Sequence, residues 1–404
     1  VKSSPVQRAA ITGIGVITGL GATTAETWTG VREGRSALRT LDLEGTRVLG
    51  APAPDVPDDT DEPIIALARV AAREALADAG ISPAELPRER TACTLSSSKG
   101  GMKTLFRVHR EFLEGGAVPA ELWQRVAPSA PGTAVAADLG ISGPVVNYAA
   151  ACATGVHAVI AAVQLIAAGE VDIVVAGAVD ASLVLPLVAA FDRMGVLSHR
   201  WDDPEGACRP FDRTRDGFGI GEGASVLVME SLRRVASRPE RVYAHVAGTA
   251  WGADAYDLAR VKSTHSAIGG LVTQALERAG RTPEEVDYVN AHGTGTQAND
   301  PMESGAIREA LGDATDDVPV SSLKPAIGHV LGAAGGVELA LTLLAMRDGF
   351  VPPTLNLNHP DPACRLRHVT GAGMRCDVNT AVKISAGFGG HVGIVVLERG
   401  GRSS

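Results

Sequence analysis

The chain has 404 residues, 45% hydrophobic and 21% charged, with a formal net charge of -9 and a pI near 5.6. This composition supports a large core in one large or two medium domains, and an acidic balance excludes the usual basic footprint of a nucleic-acid binder. The cysteines at 93, 152, 208, 364 and 376 have no CxxC or Cys/His metal spacing; an odd count in a long chain argues against a disulfide framework. The opening VKSSPVQRAAITGIGV has no signal-peptide h-region, and Gln164 and Glu170 interrupt the most apolar stretch short of the roughly 18 residues that span a bilayer. The expectation is a soluble cytoplasmic protein, with no nucleic acid and no membrane among its partners.

In chain order, AAITGIGVI reads as a first strand. The turn GIGVITGLG (13–21) is GxGxxxG rather than a dinucleotide-binding GxGxxG, and reads as a tight strand-to-helix turn with Thr23 and Glu26 as a capping box. The acidic DVPDDTDEP (55–63) reads as a surface loop. Strands follow at TACTLS, DIVVAGAVD, ASVLVME, DYVNAHG, VPVSSL, AVKISAGFG and GIVVLER, alternating with helices. Several are apolar throughout, as strands buried on both faces are, so the fold class is layered α/β. REALADAGISPAEL (73–86) and TQALERAGRTPEEV (273–286) match at Ala75/Ala275, Leu76/Leu276, Ala79/Ala279, Gly80/Gly280, Pro83/Pro283 and Glu85/Glu285. Each reads as helix, glycine cap, proline turn, strand. The helices after Cys152 and after Gly332 form a second, weaker pair in the same order. A duplicated unit follows, with an N-terminal half over 1–240, a C-terminal half over 241–404, and the turn from Arg233 to Arg241 joining them.

Cys152 stands where an apolar run gives way to a long helix, with Ala149, Ala150 and Ala151 before it and Ala153, Thr154 and Gly155 after it. His292 in NAHGTGT, Lys324 and His329 in SSLKPAIGHVLGAAGG, and Phe388 in ISAGFGG all fall at carboxyl ends of predicted strands or in the loops beyond, where open α/β sheets build sites. Singly, each has an ordinary structural reading; a buried Cys is usually inert. Together they suit nucleophilic thiol chemistry. Zinc is the poorer alternative, because no short-range ligand pair exists.

ACATGVHA, NAHGTGT, KPAIGHVLGAAGGVE and GFGGH resemble the Cys-His-His signatures of β-ketoacyl-acyl-carrier-protein synthases, the condensing enzymes of fatty acid and type II polyketide assembly, and residues 193–224 are similar to a further stretch of that family. The resemblance implies the thiolase fold, two βαβαβαββ halves in five αβαβα layers. It implies Cys152 as nucleophile, its pKa lowered by the helix N-terminus. Cys152 and Phe388 backbone N–H groups would form the oxyanion hole, with Phe388, Gly389 and Gly390 as a gate. His292 and His329 would stabilise the enolate, while Lys324 would orient His329, paired with Glu303. It implies no cofactor and no metal: substrates ride on the phosphopantetheine of an acyl carrier protein. It implies a homodimer, or a heterodimer with a chain-length-factor-like subunit. Such a non-elongating subunit is itself the alternative reading, although that partner usually lacks the Cys; a degradative thiolase would carry a second Cys where GFGG stands. His391 and Val392 replace the Thr and Asn frequent in fatty acid enzymes, which leans toward polyketide or polyene assembly, and His157 is taken as structural. For carrier docking, Arg200 matches a basic family position; Lys99 and Lys103, with Arg107 and Arg110, are a second choice, and the acidic 55–62 loop is excluded.

Overall fold

The computed structural model describes residues 9–56, 62–257 and 267–401; Asp58, Asp59 and Asp61 of the acidic stretch lie outside them. Nine long or central strands are labelled in chain order: β1 (Ala9–Thr18), β2 (Thr91–Ser96), β3 (Ile173–Asp180), β4 (Gly223–Ser231), β5 (Ala244–Ala253), β6 (Tyr288–Asn290), β7 (Pro319–Ser321), β8 (Thr380–Gly387) and β9 (His391–Arg399). All the strands expected from the sequence form. β5 was not among them, because Gly248 and Gly252 dilute its apolar pattern; the hairpin Arg39–Leu43/Thr46–Ala51 was also missed. The principal helices are α1 (Pro63–Ala79), α2 (Met102–Leu113), α3 (Ala130–Leu139), α4 (Thr154–Ala167), α5 (Ala267–Ala279), α6 (Asn299–Leu311) and α7 (Ala334–Asp348).

The strands join in the order β7-β6-β8-β9-β5-β1-β4-β3-β2, with Arg367–His368 beyond β7. The two halves of this order repeat. β2 runs parallel to β3, β3 antiparallel to β4, and β4 antiparallel to β1. β6 runs parallel to β8, β8 antiparallel to β9, and β9 antiparallel to β5. A bridge from Val145 to Cys93 outside β2 matches the parallel pairing of β7 with β6. The copies meet where β1 pairs antiparallel with β5.

α4 and α7 are buried nearly all round, as a helix enclosed between sheets must be. They form the central layer of the largest core cluster. α1 and α3 cover the outer face of the first sheet half, and α5 and α6 that of the second. Five layers result, the thiolase-like arrangement.

The repeat is physical as well as topological. α1 and α5 both stop at a left-handed glycine, Gly80 and Gly280, each at φ 67. Both are followed by a capping box, Ser82 with Glu85 and Thr282 with Glu285. Each outer helix sits on a sheet glycine: a methyl group on Gly13 would lie 2.1 Å from the Ala75 carbonyl oxygen, and one on Gly248 would lie 2.2 Å from that of Ala275. The capping box expected at Thr23 forms only in part. Thr23 caps the helix Thr24–Arg32, but the Glu26 carboxylate reaches back to the Ala22 N–H.

Gly13→Ala should therefore cost about 1–3 kcal/mol through overpacking. Gly270→Ala on α5, where a methyl group meets nothing within 4 Å, should raise stability by up to about 1 kcal/mol. Urea midpoints of the two variants check the pair; equal midpoints would contradict the close helix–sheet approach.

Candidate active site

Cys152 occupies a single 3-10 turn, Ala151–Ala153, that opens directly into α4. Ala151 is held at φ 46, a conformation uncommon for a residue with a side chain. Thr154 clamps this bend, its hydroxyl accepting from the Ala150 N–H at 2.9 Å and donating to the Ala151 carbonyl at 2.8 Å. The second half repeats the device: Leu331 sits at φ 48 in the turn Leu331–Ala333 that opens α7. The two helix starts touch through glycine, since a methyl group on Gly155 would lie 2.5 Å from the Gly336 nitrogen. Gly387 closes the third side; a methyl group there would lie 2.7 Å from the Ala150 oxygen and 3.0 Å from the Cys152 nitrogen. The small residues around the cysteine thus serve backbone approach as much as access to sulfur.

His292 follows β6. Its backbone N–H donates to one Glu303 oxygen at 2.6 Å, and that of Gly293 to the other at 2.8 Å. His329 is gripped by the segment after Phe218: its N–H donates to the Gly219 carbonyl, its carbonyl accepts from Gly221, and the Phe218 ring packs edge-on at 4.7 Å. The histidine rings stand 5.6 Å apart at 79°. Burial first, then the nearby Lys324, drives both imidazoles well below the ordinary histidine pKa, so both are neutral near pH 7. His329 Nδ1 accepts from the Leu331 N–H at 3.2 Å, and His292 Nδ1 faces the Lys324 ammonium at 3.4 Å. With Nδ1 an acceptor in each ring, the proton resides on Nε2.

The expected roles of Lys324 and Glu303 change. Lys324 pairs with Glu338 at 2.7 Å, not with Glu303. It donates to the His292 carbonyl, so it braces His292 rather than His329. Glu303 is occupied by the backbone of the His292 loop, and burial raises its pKa. A second lysine, Lys383, also contacts Glu338; it was missed because it lies within an apolar strand pattern.

Cys152, His292, His329, Phe388, Gly389 and Gly390 line one cavity of about 430 Å³. Thr294, Thr296 and His391 share it; the two threonines belong to the polar NAHGTGT loop but were not singled out. Phe388 stacks on Phe191 at 6.2 Å, followed by Gly389 and Gly390 at φ 80 and 78, conformations open to glycine. His157 lies behind, its Nε2–H donating to the Val392 carbonyl at 3.1 Å. Lys99, partly exposed, contacts the buried Asp180, which also accepts from Ser98 and from the Gly332 N–H. Lys103 is likewise turned onto the buried Glu222. Arg200 stays partly exposed, donating to the Thr214 carbonyl and facing Asp216.

The thiol does not titrate as expected. Burial pushes Cys152 up to about 11, with Lys99 and Lys324 pulling in the opposite direction. Cys93 is raised as far, to about 11, and Cys364 to about 12. What distinguishes Cys152 is that the cavity it lines also holds His292 and His329.

A thiol at a helix start, facing two neutral histidines across one cavity on a thiolase-like fold, defines an acyl-transferring condensing enzyme. Residues 58–234 match the model of the β-ketoacyl synthase N-terminal domain and residues 243–358 that of the C-terminal domain. The ketoacyl synthase alpha subunit of the tetracenomycin polyketide synthase of Streptomyces glaucescens is 38% identical, over 97% of each chain. Among solved structures, a type II polyketide acyl-carrier protein in complex with its hexaketide-bound ketosynthase is similar at TM-score 0.91 and 29% identity, over 98% of this chain and 100% of that one. The ishigamide ketosynthase/chain length factor is similar at 0.87 and 31%, over 98% and 100%. The chain belongs to the β-ketoacyl synthase family. Its activity is that of a 3-oxoacyl-acyl-carrier-protein synthase.

With the thiol held protonated at neutral pH, alkylation of Cys152 by iodoacetamide should accelerate about tenfold per pH unit between pH 7 and 9. Peptide mapping at each pH measures this. A rate already level below pH 8 would show a thiolate in the resting enzyme.

Proposed function

We propose that this chain is the elongating ketosynthase subunit of a type II polyketide or polyene assembly system, acting on acyl groups carried by an acyl carrier protein in the cytoplasm. The observation that carries the reading is Cys152 sharing one cavity with two neutral, Nε2-protonated histidines. The tetracenomycin relative and the carrier-protein complex above support the substrate class. Among the described residues no helix is long and apolar enough to cross a membrane. We place the joint of the halves at 240/241, so that the cysteine comes from the first and the histidines and Lys324 from the second.

In the first step Cys152 Sγ attacks the acyl thioester carbonyl; a new C–S bond forms, the carrier C–S bond breaks, and the Cys152 proton ends on the departing carrier thiol. The backbone N–H groups of Cys152 and Phe388 hold the oxyanion; the close seat of Gly387 on the Cys152 amide supports this pairing. In the second step malonyl thioester binds with its carbonyl at the Nε2–H groups of His292 and His329. Its carboxylate carbon–carbon bond breaks, carbon dioxide leaves, and the electron pair moves onto the thioester carbonyl as an enolate. The enolate carbon attacks acyl-Cys152, and the expelled thiolate takes up one proton. Neutral donors suit this step, because each gains hydrogen-bond strength as the oxygen becomes anionic.

His292→Ala and His329→Ala should each lower malonyl decarboxylation by about 10²–10³ while retaining Cys152 acylation. Radiolabelled malonyl-carrier and acyl-carrier substrates separate the two steps, and undiminished decarboxylation in either variant would reject the assignment.

A partner subunit is part of the reading. Leu105, Phe112, Leu113, Val118, Trp123 and Val145 are exposed within one stretch of sequence around α2 and the outer edge of β2, a density of apolar surface that marks an interaction site. The ishigamide structure pairs a ketosynthase with a chain length factor. Leu113 and Trp123 are each 72% exposed. Leu113→Glu with Trp123→Glu should convert a dimer, with itself or with a co-expressed related subunit, to monomers on sedimentation; an unchanged dimer would place the interface elsewhere.

A further inference from the structure

Two lysines share one carboxylate behind the histidines. Lys383 on β8 is fully buried, as are Lys324 and Glu338. Its Nζ donates to Glu338 Oε2 at 2.6 Å, to Asn290 Oδ1 at 2.9 Å and to the Ala291 carbonyl at 3.3 Å. Glu338 Oε1 takes Lys324 at 2.7 Å. With both ammonium groups protonated, one carboxylate between them leaves the cluster a net charge of one positive unit, away from water. An uncompensated buried charge is unfavourable unless something it faces offsets it. The neighbouring face is the wall that carries His292 and His329, where the condensation creates an anion.

We propose that Lys383 is a positioning residue for condensation: by occupying the second oxygen of Glu338 it leaves Lys324 turned to His292, and it gives the wall behind the histidines the positive charge that stabilises the enolate. This rests on the function proposed above. Without Lys383, Lys324 and Glu338 would form a neutral pair, and the free Glu338 oxygen would compete for the Lys324 ammonium. The charged groups around Lys383 are Glu338 on α7, Lys324 in the turn before it, and Glu303 on α6 at longer range; His292 and His329 both feel its charge. Burial brings Lys383 down to about 8, with Glu338 opposing. Below that pH the cluster is positive; above it Lys383 is neutral, the cluster charge is zero, and the enolate loses support.

The test is the pH profile of malonyl-carrier decarboxylation from pH 6.5 to 9.5, with Cys152 acylation followed in parallel. The wild-type rate should fall as pH rises through about 8. Lys383→Met should be slower at pH 7 by at least about tenfold, a factor that one unit charge at an effective dielectric near 20 supplies even from about 12 Å away, and should lack that fall. Lys383→Met combined with Glu338→Gln restores a single positive charge on Lys324 and should recover most of the loss, which a merely structural lysine would not permit. If Lys383→Met does not fold, Lys383→Arg carries the test: charged throughout the range, it should hold its rate level across pH 8. A variant profile that still falls near pH 8, or a double variant as slow as the single one, overturns the role of Lys383 alone. A wild-type enzyme that decarboxylates no malonyl thioester overturns both this role and the function beneath it.

Discussion

The contact between the starts of α4 and α7, at Gly155 and Gly336, is the constraint on which the site depends. Two buried helices can cross backbone to backbone only where neither carries a side chain, and the ideal-methyl distance of 2.5 Å leaves no space for one. That crossing sets the Cys152 turn against the turn that follows His329. Each turn bends through a residue at positive φ, Ala151 and Leu331. Duplication therefore built two equivalent helix entrances facing one another at the centre of the five layers. Only one bears a nucleophile: the place of Cys152 in the first is taken by Gly332 in the second, whose N–H donates to Asp180.

Around this crossing the charged side chains are few and buried. Glu303 and Asp300 hold backbone N–H groups of the His292 loop, and Glu338 binds two lysines. The histidines stay neutral because burial disfavours their charged form and cations lie nearby. The same burial keeps the cysteine a thiol. In the acyl transfer proposed above, the thiol proton is then lost as Sγ attacks the thioester carbonyl, and it ends on the carrier sulfur that leaves.

The family stretch 193–224 shows how a distant segment supports the chemistry. Gly219 and Gly221 bracket the His329 backbone, and Phe218 supports its ring. Arg215 is buried and donates to the Thr296 carbonyl and to Asp361, which ties the loop bearing His292 to the same segment. The positions of the two histidines are thus set from one stretch of the first half, although both belong to the second.

The sequence alone determined the α/β class, the duplication and the Cys-His-His set, because each is written in local pattern: apolar strand runs, glycine caps three residues before a proline, and reactive residues at strand ends. It did not determine β5, whose glycines exist for the packing of α5 and weaken the strand signal. Nor could it assign the ion pairs. Lys324 takes Glu338 rather than Glu303, Lys99 takes Asp180, and Lys383 sits unrecognised in an apolar run, since which carboxylate a lysine meets depends on layers brought together across the whole chain. The protonation state of Cys152 was decided in the same way: a helix start favours thiolate locally, but the burial that raises the thiol exists only once both halves have closed over it.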